Sequence, residues 1–119
     1  MTLVDTSVWV DHFRRTDPDL VARLNDDAVT SHPFVIGELA LGSLARRAEV
    51  LELLHDLPAV ALLPEEAVLA FVERHHLAAT GIGWVDAHLL AAADAAEADV
   101  LTRDKRLRTQ AARLGLAAR

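Results

Sequence analysis

Cysteine is absent from the 119 residues, so neither disulfide bonds nor thiolate metal ligands contribute to this fold. A chain without cysteine suits a reducing compartment, and we expect a cytoplasmic protein. No apolar run is long enough to span a bilayer, because charged residues interrupt each one. The first residues, MTLVD, lack the basic segment and long apolar core of a secretion signal. We therefore expect a soluble protein without membrane contact.

Three common catalytic patterns are also missing. There is no glycine-rich phosphate-binding loop. Ser7 has no convincing histidine and aspartate partners for nucleophilic catalysis. The six histidines show no metal-ligand spacing, since His75 and His76 are adjacent and point to different faces of a helix. Serine hydrolysis and a histidine metal site are therefore not expected.

The charge is unevenly distributed. The net charge is −6, but six of the twelve basic residues fall in the last seventeen positions, beside a single acid, Asp104. They are Arg103, Lys105, Arg106, Arg108, Arg113 and Arg119. Such a basic end is typical either of phosphate binding near a metal site or of a solvated charged helix. Arg103, Lys105 and Arg106 are the candidate phosphate contacts.

Short apolar runs alternate with helical patterns along the whole chain. Strands are predicted at Thr2–Val4, Ala28–Thr30, Ala59–Leu62 and Val100–Thr102, with a weak last one near Leu116. Helices are predicted at Ser7–Arg15, Asp19–Leu24, Pro33–Leu41, Ala45–Leu57, Glu65–Ala79, Trp84–Ala96 and Lys105–Leu114. This alternation predicts an α/β fold: a three-layer α/β/α sandwich with a mainly parallel sheet of four or five strands. We see no linker or repeat, and residues 1–119 read as one domain.

Carboxylates follow two of the predicted strands. Asp5 ends the first apolar run, and Asp104 lies just beyond VLT, the run that ends in Thr102. Each could simply cap the helix that follows it. However, ligands of parallel sheets bind outside the carboxyl ends of the strands, where these two residues would meet.

Two further acids lie within predicted helices. Helical spacing places Glu38 beside Phe34 and Leu41, on a mainly apolar face where a carboxylate needs a donor, a cation or a metal. The alternatives are an arginine partner or a peripheral position. Asp86 lies early in its helix, where interaction with the helix N-terminus is the structural alternative.

Together, Asp5, Glu38, Asp86 and Asp104 predict a metal site. Clustered carboxylates repel one another unless a cation lies between them. Oxygen ligands without cysteine favour Mg²⁺ or Mn²⁺ over zinc. Such ions polarise phosphoryl oxygens and activate water, so the predicted reaction is phosphodiester hydrolysis.

The same residues resemble a known family. LVDTSVWVD, IGELALG, WVDAHLLAAA and LTRDKRL match, in order and spacing, the PIN-domain ribonucleases, specifically the VapC-type toxins of toxin–antitoxin pairs. The resemblance implies a homodimer that cleaves RNA, often a structured tRNA or rRNA, with Mg²⁺ or Mn²⁺. It implies the four acids as the metal site, with Thr6 or Ser7 supporting Asp5 and Thr102 acting near Asp104. It also implies a VapB-type antitoxin that blocks the acidic pocket, commonly with a basic side chain.

Two other functions stay open at this level. A phosphoacceptor signalling domain also uses acids and Mg²⁺ at strand ends, although it would want a second acid beside Asp5. A non-catalytic RNA-binding module would not need Glu38 on an apolar face. Trp9 and Trp84 are expected in the core or a dimer interface rather than in base stacking.

Overall fold

The computed structural model describes residues 1–119 and contains seven helices and three strands. In chain order the elements are β1 (Thr2–Val4), α1 (Thr6–Arg14), α2 (Pro18–Asn25), β2 (Val29–Thr30), α3 (Pro33–Leu41), α4 (Arg47–Asp56), α5 (Glu65–Arg74), α6 (Trp84–Ala95), β3 (Asp99–Leu101) and α7 (Lys105–Arg113). The predicted α/β class is confirmed. No helix has the length and apolar character needed to cross a membrane.

The sheet is parallel, and β1 lies at its centre. The strand order is β2-β1-β3, with Leu3 paired to Thr30 on one side and to Val100 on the other. The chain passes from β1 to β2 on one side and later crosses to β3 on the other. The carboxyl end of β1 is therefore a topological switch point, the position where parallel sheets bind ligands. Asp5 is the next residue.

The sheet has three strands, so the predicted count of four or five is wrong. The segment predicted at Ala59–Leu62 is reduced to one bridge between Ala59 and Ser31, and the segment near Leu116 to one bridge between Val100 and Ala117. Pro58 and Pro64, which have no N–H to donate, bound the first of these segments. Both segments still lie at the two edges of the sheet, in the predicted parallel direction.

Two helices are shorter than predicted by more than one residue, and residues with positive φ explain both differences. Residue Arg46 has φ +54°, so α4 begins at Arg47 rather than at residue 45. Helix α5 ends at Arg74 rather than at residue 79, because His76 (φ +54°) and Ala79 (φ +61°) are incompatible with a right-handed helix.

The core covers both faces of the sheet. Leu3 and Val4 of β1, which point to opposite faces, are both fully buried. Helix α3 packs against both α1 and α4. Helix α6 packs on α5 and β3, and α7 packs on β3. Burial of the sheet on both faces fits the predicted α/β/α sandwich. Burying each large aliphatic side chain stabilises the fold by about 1.5–3 kcal/mol.

Candidate metal centre

Asp5 is held at the start of α1 by three donors. It is 7% exposed, and its Oδ1 accepts from the backbone N–H of Thr6 at 2.8 Å. Its Oδ2 accepts from the hydroxyls of Ser7 (2.9 Å) and Thr102 (2.8 Å). Asp5 thus caps α1, which was the alternative to a metal ligand. Its second oxygen is in addition fixed by two hydroxyls, one from α1 and one from the residue after β3.

Thr102 connects the ends of β1 and β3. Its hydroxyl donates to Asp5 and accepts from the N–H of Asp104 at 3.0 Å. Ser7 makes a similar link, because its Oγ also accepts from the N–H of Arg103 at 3.0 Å. These bonds fix the loop that carries Asp104 against the start of α1.

Asp104 caps α7 with one oxygen only. Its Oδ1 accepts from the N–H of Leu107 at 2.9 Å, whereas Oδ2 makes no hydrogen bond within the chain. The side chain is exposed. One carboxylate oxygen therefore remains available for a ligand while the other fixes the orientation.

Glu38 lies in an exposed position, so the predicted apolar surroundings are wrong. The buried face of α3 carries Val35 and Leu39, whereas Leu41 is 91% exposed. Because the helix sequence PFVIGELAL is apolar nearly all round, its pattern could not distinguish the inner face. Glu38 nevertheless points to the site: its Oε1 accepts from the hydroxyl of Thr6 at 2.8 Å, and Oε2 has no hydrogen-bond partner.

Asp86 lies half-buried in the first turn of α6. Its Oδ2 accepts from the N–H of Gly83 at 3.0 Å, and Oδ1 makes no hydrogen bond within the chain. Burial raises the pKa of this carboxyl, and the donor from Gly83 opposes that effect. The negative charges of Asp5, Asp104 and Glu38 raise the pKa further. Asp86 therefore lies within electrostatic range of the other three acids.

None of the four acids has a cationic partner from the chain. The ion pairs of the structure join Arg23 to Asp19, Arg46 to Glu49, and Arg103 to both Asp11 and Asp17. The charge of the cluster is thus left for a bound cation to compensate.

A hard divalent cation fits this donor set. Glu38, Asp86 and Asp104 each present one carboxylate oxygen free of internal hydrogen bonds. No three carboxylate or imidazole groups are close enough to one point to bind an ion directly. Mg²⁺ commonly keeps several waters and takes only one or two protein carboxylates, so an ion held partly through water suits this geometry.

The three candidate phosphate contacts differ in their surroundings. The guanidinium of Arg103 pairs with Asp17 and lies 3.8 Å from Asp11, so carboxylates of the α1–α2 region already bind it. Lys105 and Arg106 are exposed in the first turn of α7 and form no ion pair. These two side chains are the cations next to Asp104 that remain free.

Replacing Asp17 by asparagine should destabilise the protein at neutral pH. Burial acts to raise the pKa of Asp17, but donation from Leu20 and Asp19 and the charge of Arg103 lower it overall. A lowered folded-state pKa gives stability that is present above the ordinary value of 3.8 and is lost as the pH falls through the lower folded value. Because Arg103 is partly exposed, we expect a loss of about 1 kcal/mol at pH 7.

Urea unfolding at neutral and at acidic pH measures this effect. The loss of unfolding free energy caused by Asp17→Asn should shrink towards zero in acid, where Asp17 itself is protonated. Asparagine can still cap α2, so no capping loss remains. Asp19→Asn, which removes an exposed pair with Arg23, is the matched control and should cost at most about 0.5 kcal/mol. A loss that is the same for both variants at both pH values would contradict the assignment.

Sequence reasoning missed an aromatic cluster beside the acids. His88 is 5% exposed, and its ring lies 4.8 Å from the rings of both Trp84 and Phe34. His32, which is fully buried, completes the cluster. The spacing of four between Trp84 and His88 was the available signal. Trp9 lies in the core as expected, whereas Trp84 is 43% exposed and lies outside it, so of the two expected places only the dimer interface stays open for Trp84.

The fold and site define a class: a parallel α/β protein with uncompensated carboxylates at the carboxyl end of its central strand. A family model described as "PIN domain" matches residues 2–112. The chain therefore belongs to the PIN-domain family.

Individual relatives place it more closely. The chain is 47% identical over 118 residues to Ribonuclease VapC32 of Mycobacterium tuberculosis strain ATCC 25618 / H37Rv, covering 98% of this chain and 95% of that protein. The same values hold for Ribonuclease VapC32 of strain CDC 1551 / Oshkosh. The resemblance to VapC-type PIN-domain proteins is thus confirmed.

Proposed function

We propose that this protein is the toxin of a type II toxin–antitoxin system. It acts as an endoribonuclease that depends on Mg²⁺ or Mn²⁺ and cleaves tRNA or rRNA, which inhibits translation and growth. The proposal is supported by four acids that have no cationic partner in the chain. Thr6 donates to both Asp5 and Glu38, Thr102 bonds both Asp5 and the N–H of Asp104, and Asp86 lies within electrostatic range of all three. Near full-length similarity to Ribonuclease VapC32 supports the choice of RNA as substrate.

The free oxygens of Glu38, Asp86 and Asp104, together with Asp5, would hold the metal partly through water molecules. When bound, such an ion polarises the phosphoryl group and lowers the pKa of a water molecule. The hydroxyls of Ser7 and Thr102 fix the carboxylate of Asp5, and that of Thr6 fixes Glu38. Since the hydroxyl of Ser7 is already committed to Asp5, water is the nucleophile that the geometry favours.

The chain's free cations would bind the RNA backbone. Lys105 and Arg106 follow Asp104 directly and can contact phosphates on either side of the cleaved bond. Arg103 acts here chiefly through its N–H, which positions Ser7, while its guanidinium pairs with Asp17.

A groove next to Glu38 suits a VapB-type antitoxin. A cavity of about 650 Å³ between α1, α3 and the start of α4 is lined by apolar side chains and by Glu38, Arg14 and Arg46. A segment bound there could place a basic side chain on the acidic site through Glu38. We further propose a cytoplasmic homodimer in which residues 1–119 act as one domain.

Metal dependence is tested with purified protein and total cellular RNA. Cleavage should stop in EDTA and return with Mg²⁺ or Mn²⁺. A phosphate can lie beside the four carboxylates only when a bound cation compensates their negative charge. Cleavage that continues unchanged in EDTA would contradict the proposed metal role.

Cellular function is tested by induced expression, followed by growth measurement and sequencing of new RNA 5′ ends. The unmodified chain should arrest growth with discrete new ends. Asp104→Asn, which keeps an acceptor for the N–H of Leu107, should abolish both effects. Asp94→Asn, an exposed change at the far end of α6, should leave both intact. RNA binding without new ends would favour the non-catalytic RNA-binding module.

A further inference from the structure

One exposed aromatic residue begins the helix that carries Asp86. Trp84 is 43% exposed, and its indole meets the ring of His88 edge-on, at 4.8 Å and 88°. His88 in turn contacts Phe34 at 4.8 Å and is itself buried. Trp84 is thus the exposed end of a packed aromatic cluster, and its contact with His88 fixes the orientation of its ring.

The aromatic cluster and the acids share two helices. On α6, Trp84 is the first residue and Asp86 the third, so both lie in the first turn of the helix, with their side chains on different sides of it. On α3, Phe34 lies one turn before Glu38 and therefore on the same side of that helix. Trp84 therefore starts the turn that carries Asp86, and through His88 it packs against Phe34, which lies one turn from Glu38.

A free cation borders the same surface. Gly81, three residues before Trp84, has φ +89°, and a Cβ atom there would lie 2.9 Å from Cδ of Arg106. The side chain of Arg106 therefore passes over the loop that leads into α6. An exposed aromatic ring, an unpaired guanidinium and a metal-type site in one region match the needs of a single-stranded nucleic acid.

We propose that Trp84 is a base-stacking platform that positions the nucleotide next to the cleaved phosphodiester, with Arg106 contacting a neighbouring phosphate. This inference rests on the proposed ribonuclease function. Single-stranded RNA is recognised by stacking its unpaired bases on aromatic side chains, and Trp offers the largest ring surface. Trp84 acts on binding and positioning, not on the bond cleavage itself.

The charges around Trp84 favour RNA, rather than a second copy of this chain, as the molecule that binds at this surface. A two-fold interface that buries Trp84 against its equivalent would bring the Asp86 regions of both copies together. Each copy carries a net charge of −6 and an acidic cluster without internal compensation. A bound metal and Arg106, by contrast, complement RNA phosphates.

The two tryptophans allow a direct test in the unmodified protein. The chain is labelled with 5-fluorotryptophan, and fluorine NMR follows the addition of a short oligo(A) RNA with Ca²⁺ in place of Mg²⁺. The Trp84 signal, assigned through Trp84→Phe, should shift, whereas the signal of Trp9, which is 5% exposed, should not. An unmoved Trp84 signal while RNA binds overturns the proposal.

Cleavage kinetics on an RNA site found in expressing cells give the second test. Trp84→Ala should raise KM by about 5-fold to 100-fold with kcat nearly unchanged, and Trp84→Phe should recover most of the loss. Leu69→Ala, which removes an exposed apolar side chain of α5, should leave KM unchanged. An abasic substitution beside the cleaved bond should weaken binding to the unmodified protein but not to Trp84→Ala.

Three results would overturn the inference. One is an unchanged KM for Trp84→Ala, and another is an abasic penalty of equal size in both proteins. The third is a change in sedimentation of Trp84→Ala with unaltered RNA affinity, which would assign Trp84 to self-association. A complete lack of cleavage by the unmodified protein would instead contradict the ribonuclease proposal, while the NMR test still decides whether Trp84 contacts RNA.

Discussion

Replacing Asp5 by asparagine should lower kcat/KM for RNA cleavage by about 10³-fold or more, because it removes several kcal/mol of transition-state stabilisation through the metal. Asp5 follows the central strand and is held by Thr6, Ser7 and Thr102. Asparagine has the same shape, and its oxygen can still cap α1, so the fold should persist. Its amide nitrogen cannot accept from the hydroxyls of Ser7 and Thr102, which would have to turn and accept from it instead. The parallel unfolding measurement therefore separates this structural cost from the loss of charge.

Single-turnover cleavage of a labelled RNA, with urea unfolding in parallel, measures this effect. Asp11→Asn provides the matched control, since Asp11 is an exposed acid in the same helix and pairs only with Arg103. Asp11→Asn should cleave at nearly the unmodified rate. If folded Asp5→Asn kept more than about a tenth of the activity, the proposed metal site would be wrong.

The second large effect concerns stability, which should fall by about 3 kcal/mol between neutral pH and pH 4 because of His32. Burial, with a smaller contribution from the charge of His88, lowers the pKa of His32 to about 4 from an ordinary 6.5. Its Nδ1 accepts from the N–H of Phe34 at 2.9 Å, so protonation at that atom would remove the cap of α3.

The sign follows from proton binding in the two states. Between pH 6.5 and about 4 the unfolded chain holds a proton on His32 that the folded chain lacks. Stability is therefore complete above pH 6.5 and is lost progressively as the pH falls towards 4.

Urea unfolding over this range, compared with His32→Asn, checks the assignment. Asparagine can cap α3 without titrating, so the variant should show a smaller slope of unfolding free energy with pH. Some slope will remain, because burial also lowers the pKa of His88. Equal slopes in the two proteins would contradict the role of His32.

Much of the fold could be predicted because its signals are local. Apolar runs at Thr2–Val4 and Val100–Leu101 form strands, and the acids after them cap the following helices. The predicted fourth and fifth strands do not form, because a strand also requires a neighbouring strand with which to pair over several residues. Ala59 and Ala117 each find only one pairing residue at the edge of the sheet.

Which residues of a uniformly apolar helix are buried and which are exposed could not be predicted from local signals. The sequence around Glu38 is apolar on all sides, so its periodicity does not reveal that Glu38 is exposed. Trp84 is an aromatic residue of the kind usually found in cores, and only the tertiary structure shows that it packs on His88 and stays 43% exposed.

The sequence by itself determined the residue types of the site, the order of its elements and the family, since these depend on spacing along the chain. Only the tertiary structure decided which groups meet. Thr102 donates to Asp5, 97 residues away, and Thr6 donates its hydroxyl to Glu38 rather than to Asp5. Parallel strands with helical crossovers bring such distant residues to one edge of the sheet, and no local pattern specifies the hydrogen bonds formed there.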